Sequence, residues 1–121
     1  MADKVTQAKV EEVQANSGDP ITALRFTGDI TSASKAAVLG TFQGIPATSK
    51  RILLDFSGVD YLNSSGIALV IQLMIAASKA GQTIQTFGLK PHFIKVFTMV
   101  GITRYTKLHP DEQTARAAFS A

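Results

Sequence analysis

The sequence predicts an α/β fold: a mixed sheet of four to five strands, opened by a hairpin and covered by about four helices. Three observations predict it. Two stretches of alternating apolar residues, around Val5 to Val13 and over Ile21 to Phe26, flank the dense turn signal Asn16-Ser17-Gly18-Asp19-Pro20, which is the pattern of a hairpin. An apolar run, Ile52 to Phe56, leads through a short loop into a long apolar segment, Ile67 to Ala77, as a buried strand feeding a helix would. A further strand, Thr83 to Phe87, precedes a helix opened by Pro91. A hairpin followed by strand–helix alternation gives a mixed sheet with helical cover.

Each element has a local reason. Val5, Ala8, Val10 and Val13 sit among polar residues, an imperfect alternation that suits an exposed first strand. Ile21 to Phe26 alternates more cleanly, and Gly28-Asp29 is expected to end that strand. Thr31 or Ser32 can cap a first helix through Ala36, Leu39 and Phe42, which Gly44-Ile45-Pro46 stops. The run Ile52 to Phe56 reads as a strand buried on both faces, closed by the turn signal Ser57-Gly58 and followed by a loop over Val59 to Leu62. Asn63 and Ser64 stand just ahead of the long apolar segment, where a side-chain oxygen can accept an unpaired backbone N–H and start a helix. Ala80-Gly81-Gln82 reads as its C-terminal cap. Pro91 sits well at a first helical position, and Phe93, Val96, Phe97 and Val100 then follow the spacing of a buried stripe, closed by Gly101. Tyr105 to Leu108 forms a short edge strand. Pro110 opens a last helix with Asp111 and Glu112 in its first turn, and Ala115, Ala118 and Phe119 supply its apolar side.

Composition narrows the function. At 121 residues, 45% apolar and 17% charged, the chain is expected to be one soluble globular domain over residues 1–121. The net charge of +3 is mildly basic, but lysine and arginine are spread out, with none of the runs that nucleic-acid arms carry, so no nucleic-acid partner is expected. With no cysteine there is no disulfide framework and no thiol nucleophile. The first ten residues, MADKVTQAKV, have no apolar signal core, and the segment Ile67 to Ala77 falls short of the ~20 apolar residues that cross a bilayer. A cytoplasmic protein without membrane insertion is the expectation.

Catalytic chemistry is not evident. Asp29, Asp55 and Asp60 could gather at strand ends, but no ligand spacing supports a cation, and Asp55 can instead accept backbone N–H groups in the loop before Asn63. His92 and His109 flank prolines at expected helix starts and read as surface or capping residues. Gly44 to Lys50 lacks the second glycine of a phosphate loop. No enzyme activity, metal or cofactor is expected. A hydroxyl at Ser64, at or beside a helix N-cap, is different: a phosphate there would add about −1.5 to −2 charges, held by free N–H groups and the positive helix end. On spacing alone Ser64 reads more readily as a plain capping residue than as a switch.

The stretch from Asp55 to Ile102 resembles the STAS domain of anti-sigma factor antagonists, an α/β fold also called SpoIIAA-like. The resemblance is carried by Asp55, Ser57-Gly58-Val59, Ser64-Ser65-Gly66, the strand around Thr83 to Phe87, and Pro91 opening a helix that ends at Gly101-Ile102; Phe26-Thr27-Gly28-Asp29 extends it upstream. It implies a binding module that docks an anti-sigma factor which is also a serine kinase, with phosphorylation of Ser64 releasing it. Asn63 stands where phosphorylated members usually carry aspartate. In this reading Asn63, Ser65 and Gly66 set the backbone around the switch. The rest of the contact comprises Gly28, Asp29, Ile67, Leu69, Gln72 and Leu73. One helix face, Ile67, Val70, Ile71 and Met74, suffices to cover the sheet, which leaves Leu69, Leu73 and Ile75 for a partner, a homodimer included; burial by neighbouring helices is the other outcome. The alternative within the same family is an unphosphorylated scaffold subunit of a lipid transporter or signalling assembly, and a small-ligand or nucleotide-binding domain is a third reading.

Overall fold

The computed structural model describes residues 4–119. Five strands form one sheet in chain order: β1 (Gln7–Gln14), β2 (Pro20–Ile30), β3 (Arg51–Leu62), β4 (Thr83–Phe87) and β5 (Thr106–His109). β1 and β2 are the antiparallel hairpin read from the sequence, turned at Gly18 with φ 90°. The remaining neighbours are parallel, so each pair needs a crossover. Three turns bridge β2 to β3: a 3-10 turn at Ser32–Ser34, a π turn at Ala36–Gly40 and α1 (Thr41–Gln43). α2 (Ser64–Lys79) links β3 to β4, α3 (Pro91–Met99) leads from β4 towards β5, and α4 (Glu112–Ala118) follows β5.

Sheet order explains the layering. Strands added in one direction by crossovers of one hand place their connecting helices on the same face. That face holds the main core: Leu24, Phe26, Ile52, Leu54 and Phe56 from the sheet meet Val38, Val70, Leu73, Met74, Phe93 and Phe97. The opposite face has α4 and a smaller cluster of Ala15, Ile21, Ala23, Leu53, Phe87 and Ala115. β3 is therefore buried on both sides, as its apolar run predicts.

Several boundaries differ from expectation, each for a physical reason. β2 does not end at Gly28-Asp29, nor β3 at Ser57-Gly58. Both strands run on because their pairing shifts register between Arg25 and Thr27 and again between Gly28 and Asp29. The glycines serve these irregularities; a Cβ on Gly58 would come within 2.7 Å of Thr27 Cγ2. Thr31 caps the first helical passage through a capping box with Ser34, but that passage is three short turns rather than one helix. Val100 lies past the end of α3, off its packed face, and is 54% exposed, while Phe93 and Phe97 are buried. Asp111 is the cap of α4, not part of its first turn: its Oδ1 accepts from Thr114 N at 2.8 Å. Pro91 opens α3 and Gly81, with φ 76°, follows the end of α2, both as expected.

Candidate functional site

The site centres on the start of α2, at the carboxyl ends of β2 and β3. Asn63 is the N-cap, and its Oδ1 accepts from Gly66 N at 2.8 Å. Ser64 is the first residue of the helix and is exposed, as is Ser65. Since Asn63 does the capping, the Ser64 hydroxyl is free of that duty. The N–H groups of Ser64 and Ser65 find no acceptor among the described residues, as expected for a first helical turn. Partial positive charge therefore collects beside an accessible hydroxyl.

Gly66 fixes how the helix starts. A Cβ there would lie 1.9 Å from the Ile30 carbonyl oxygen, so only glycine lets α2 begin against the end of β2. Asn63 N donates to that same oxygen at 3.2 Å. Gly66 is consequently buried and unavailable to a partner. Gly28 is likewise buried, at φ 86°, and its Cβ would strike Val5 O at 2.3 Å. Both positions were expected on a contact surface; they are internal supports of it. Asp29 is half-buried under the amino-terminal segment: its Oδ2 accepts from Lys4 N at 3.2 Å, and its own N–H donates to Lys4 O at 3.1 Å. The Thr6 hydroxyl donates to the Asp29 carbonyl and bonds Ser34 Oγ.

Leu69 and Leu73 require a second correction. They are 8% and 0% exposed, respectively, within a buried arc of Gly66, Leu69, Val70, Leu73, Met74 and Ala77. The helix is rotated about one position from the expected face, because it packs on the Ser32–Gly40 turns as well as on the sheet. Ile67, Ile71 and Ile75 form a half-buried row along its flank, and Ser64, Ser65, Ala68, Gln72 and Ala76 are exposed. The accessible surface is thus small and polar, edged by isoleucine. Tyr61, 50% exposed, stands just before it.

Charges near this rim escaped sequence reasoning. Asp60 accepts from Lys4 Nζ at 2.6 Å and from Lys90 Nζ at 3.0 Å. The lysines hold its carboxyl below the usual range, and Asp60 raises the Lys4 ammonium. The partners are 56 and 30 residues away in sequence, so no local signal could have joined them. The three aspartates do not converge. Asp55 lies on the opposite face, where its Oδ1 accepts from Ser57 N at 2.9 Å and Ser57 Oγ at 2.6 Å, and its Oδ2 accepts from Arg25 at 2.9 Å. Its backbone partner is therefore at Ser57, not in the segment before Asn63. Arg25 also binds Glu11 at 3.1 Å and Glu112 at 2.8 Å, pinning α4 to the sheet. His109 ends β5 rather than capping a helix, and its Nε2 meets Gln85 Oε1 at 2.7 Å; burial lowers its pKa. His92 is exposed beside the Phe93 ring.

Comparison with known proteins bears on this geometry. Residues 13–110 match the family described as Mlab, STAS domain. No curated protein sequence matches. Among solved structures, an anti-sigma factor antagonist from Mycobacterium paratuberculosis superposes with a TM-score of 0.72 at 16% identity, covering 97% of this chain and 96% of that one. SpoIIAA of Bacillus in its phosphorylated form gives 0.59 at 19% identity, over 88% and 95%. A murine anion transporter of the Solute Carrier 26 family gives 0.71 at 12% identity, over 97% of this chain but 22% of the transporter. At such identities these likenesses establish the fold. The family match spans most of the sequence and agrees with the five-stranded mixed sheet and the helix start at Ser64-Ser65-Gly66: the chain belongs to the STAS domain family.

Proposed function

We propose that this protein is an anti-sigma factor antagonist, a binding module whose docking surface is the start and exposed face of α2 and whose switch is phosphorylation of Ser64. The observation that carries the reading is that Ser64 is exposed at the first helical position while Asn63 provides the cap. A phosphate there meets unpaired N–H groups and the positive helix end, so the fold tolerates it. Placed amid Ser65, Ile67, Ala68 and Gln72, it would displace contacts and repel an acidic partner. The partner supplies the kinase and the nucleotide, and this chain acts by association. Structural neighbours described as anti-sigma factor antagonists support the role, among them SpoIIAA, whose phosphorylated form is also similar.

The test incubates the pure protein with ATP and a cognate serine-kinase anti-sigma factor, then maps phosphate by mass spectrometry. One phosphate on Ser64 is expected, with Ser64→Ala still bound by the kinase and Ser64→Asp bound at least tenfold more weakly. Phosphate on another residue, or Ser64→Asp binding as tightly as wild type, defeats the scheme. A second reading is an unphosphorylated scaffold subunit of a lipid transporter or signalling assembly. Asn63, in place of the aspartate that phosphorylated members carry, favours it, as does a family description that names Mlab. Stable co-purification with a transporter ATPase, unchanged in Ser64→Ala and Ser64→Asp, would decide for it.

A further inference from the structure

β1 is the outer strand of the sheet and pairs only with β2. Its register with β2 runs from Gln7 to Gln14 without a shift, and it contains no proline. Its outer edge is therefore a straight row of backbone donors and acceptors, lacking the bulge or proline that usually blunts such an edge. Only charge guards it, and the charges are of both signs: Lys9, Glu11 and Glu12. The geometry points to this edge as a pairing surface for a second copy of the same chain, joined antiparallel about a two-fold axis perpendicular to the sheet.

The register of that pairing follows from the pleat. Residues directly opposite one another lie on the same face, and faces alternate along a strand. A perpendicular two-fold keeps each face on its own side, so one residue must sit opposite its own copy on the axis. Axes at Lys9, Glu11 or Glu12 set like charges against each other, which is unfavourable. Axes at Ala8 or Val13 lie towards the strand ends and leave most of β1 unpaired. An axis at Val10 engages nearly the whole strand and puts Lys9 of each copy opposite Glu11 of the other. The charges that would repel a strand of one sign are thus complementary to themselves in this one register.

Exposure agrees. Val10 is 51% exposed, although Ala8, on the same face, packs against the main core. It borders an open groove of about 390 Å³ shared with Thr22, Thr41, Ile45 and Pro46. Lys9, on the other face, has its side chain 74% exposed and reaches its own Glu11 at only 3.7 Å, leaving it able to turn to the second copy.

The experiment is sedimentation equilibrium of the full chain over a wide concentration range, combined with single cysteines in a protein that has none. The mass should rise from 12.9 kDa towards twice that value as concentration increases. Lys9→Glu, which creates two like-charge pairs across the axis, should weaken association at least tenfold while leaving the circular dichroism spectrum unchanged. Val10→Cys should oxidise rapidly to a disulfide-linked dimer, since facing Cβ atoms lie ~4.5–5.5 Å apart, within small adjustment of disulfide geometry. Gln14→Cys should not, its copy lying roughly 27 Å away along the strand at ~3.4 Å per residue. A protein that stays monomeric throughout, a Lys9→Glu variant that dimerises like wild type, or Gln14→Cys cross-linking as fast as Val10→Cys would each overturn the assignment.

Discussion

Asn63 and Ser64 are adjacent hydroxyl- or amide-bearing residues with separate tasks. The cap belongs to Asn63, so Asn63→Ala should cost about 1 kcal/mol, whereas Ser64→Ala should change stability by under about 0.5 kcal/mol, as at an ordinary surface position; urea denaturation of both variants measures the contrast. Gly66 is the less forgiving neighbour. Gly66→Ala puts a methyl 1.9 Å from a backbone oxygen, and because backbone on both sides must move, the loss should reach about 3 kcal/mol. A melting temperature within a degree or two of wild type would show that α2 can slide away from Ile30. The sequence reveals the cap, because Asn before an apolar run has a local cause. It does not reveal why Gly66 or Gly28 is glycine, since the atoms each would strike belong to other elements.

The same limit applies to whole helices. An apolar segment such as Ile67 to Ala77 declares a helix but not its rotation, because hydrophobic residues surround nearly the entire circumference. Its neighbours decide, and they bury Leu69 and Leu73. Leu73→Ala should therefore cost about 2–5 kcal/mol, where a solvent-facing leucine would cost little; chemical denaturation separates the two. For α4 the deciding contact is Arg25. Arg25 holds Glu112 below its ordinary carboxylate pKa. A carboxylate with a depressed folded pKa adds stability that is present above its unfolded pKa and fades as pH falls through the folded one. Glu112→Gln should consequently cost about 1 kcal/mol at pH 7, modest because the pair is partly solvated, and the difference from wild type should shrink below pH 4. An unchanged difference at pH 3 would mean that the ion pair contributes nothing. Arg25→Ala should be worse, about 3 kcal/mol, since it leaves the nearly buried Asp55 without its cation.

At the scale of the molecule, periodicity and turn residues suffice for the class: a hairpin, then alternating strands and helices. Strand order and layering are not local properties; given the order, the layering follows from the common hand of the crossovers. What remained hidden was contact between distant segments, such as Lys4 and Lys90 meeting on Asp60. That contact has a practical side. Lys4 is fastened to Asp29 and Asp60, on the same rim as Ser64, while the last helix lies across the far face of the sheet. An affinity handle or fluorescent protein fused ahead of Lys4 would shade the serine from any enzyme and from any docking protein. One fused behind Phe119 would leave that rim clear, so the choice of terminus decides whether a binding assay sees the protein or its label.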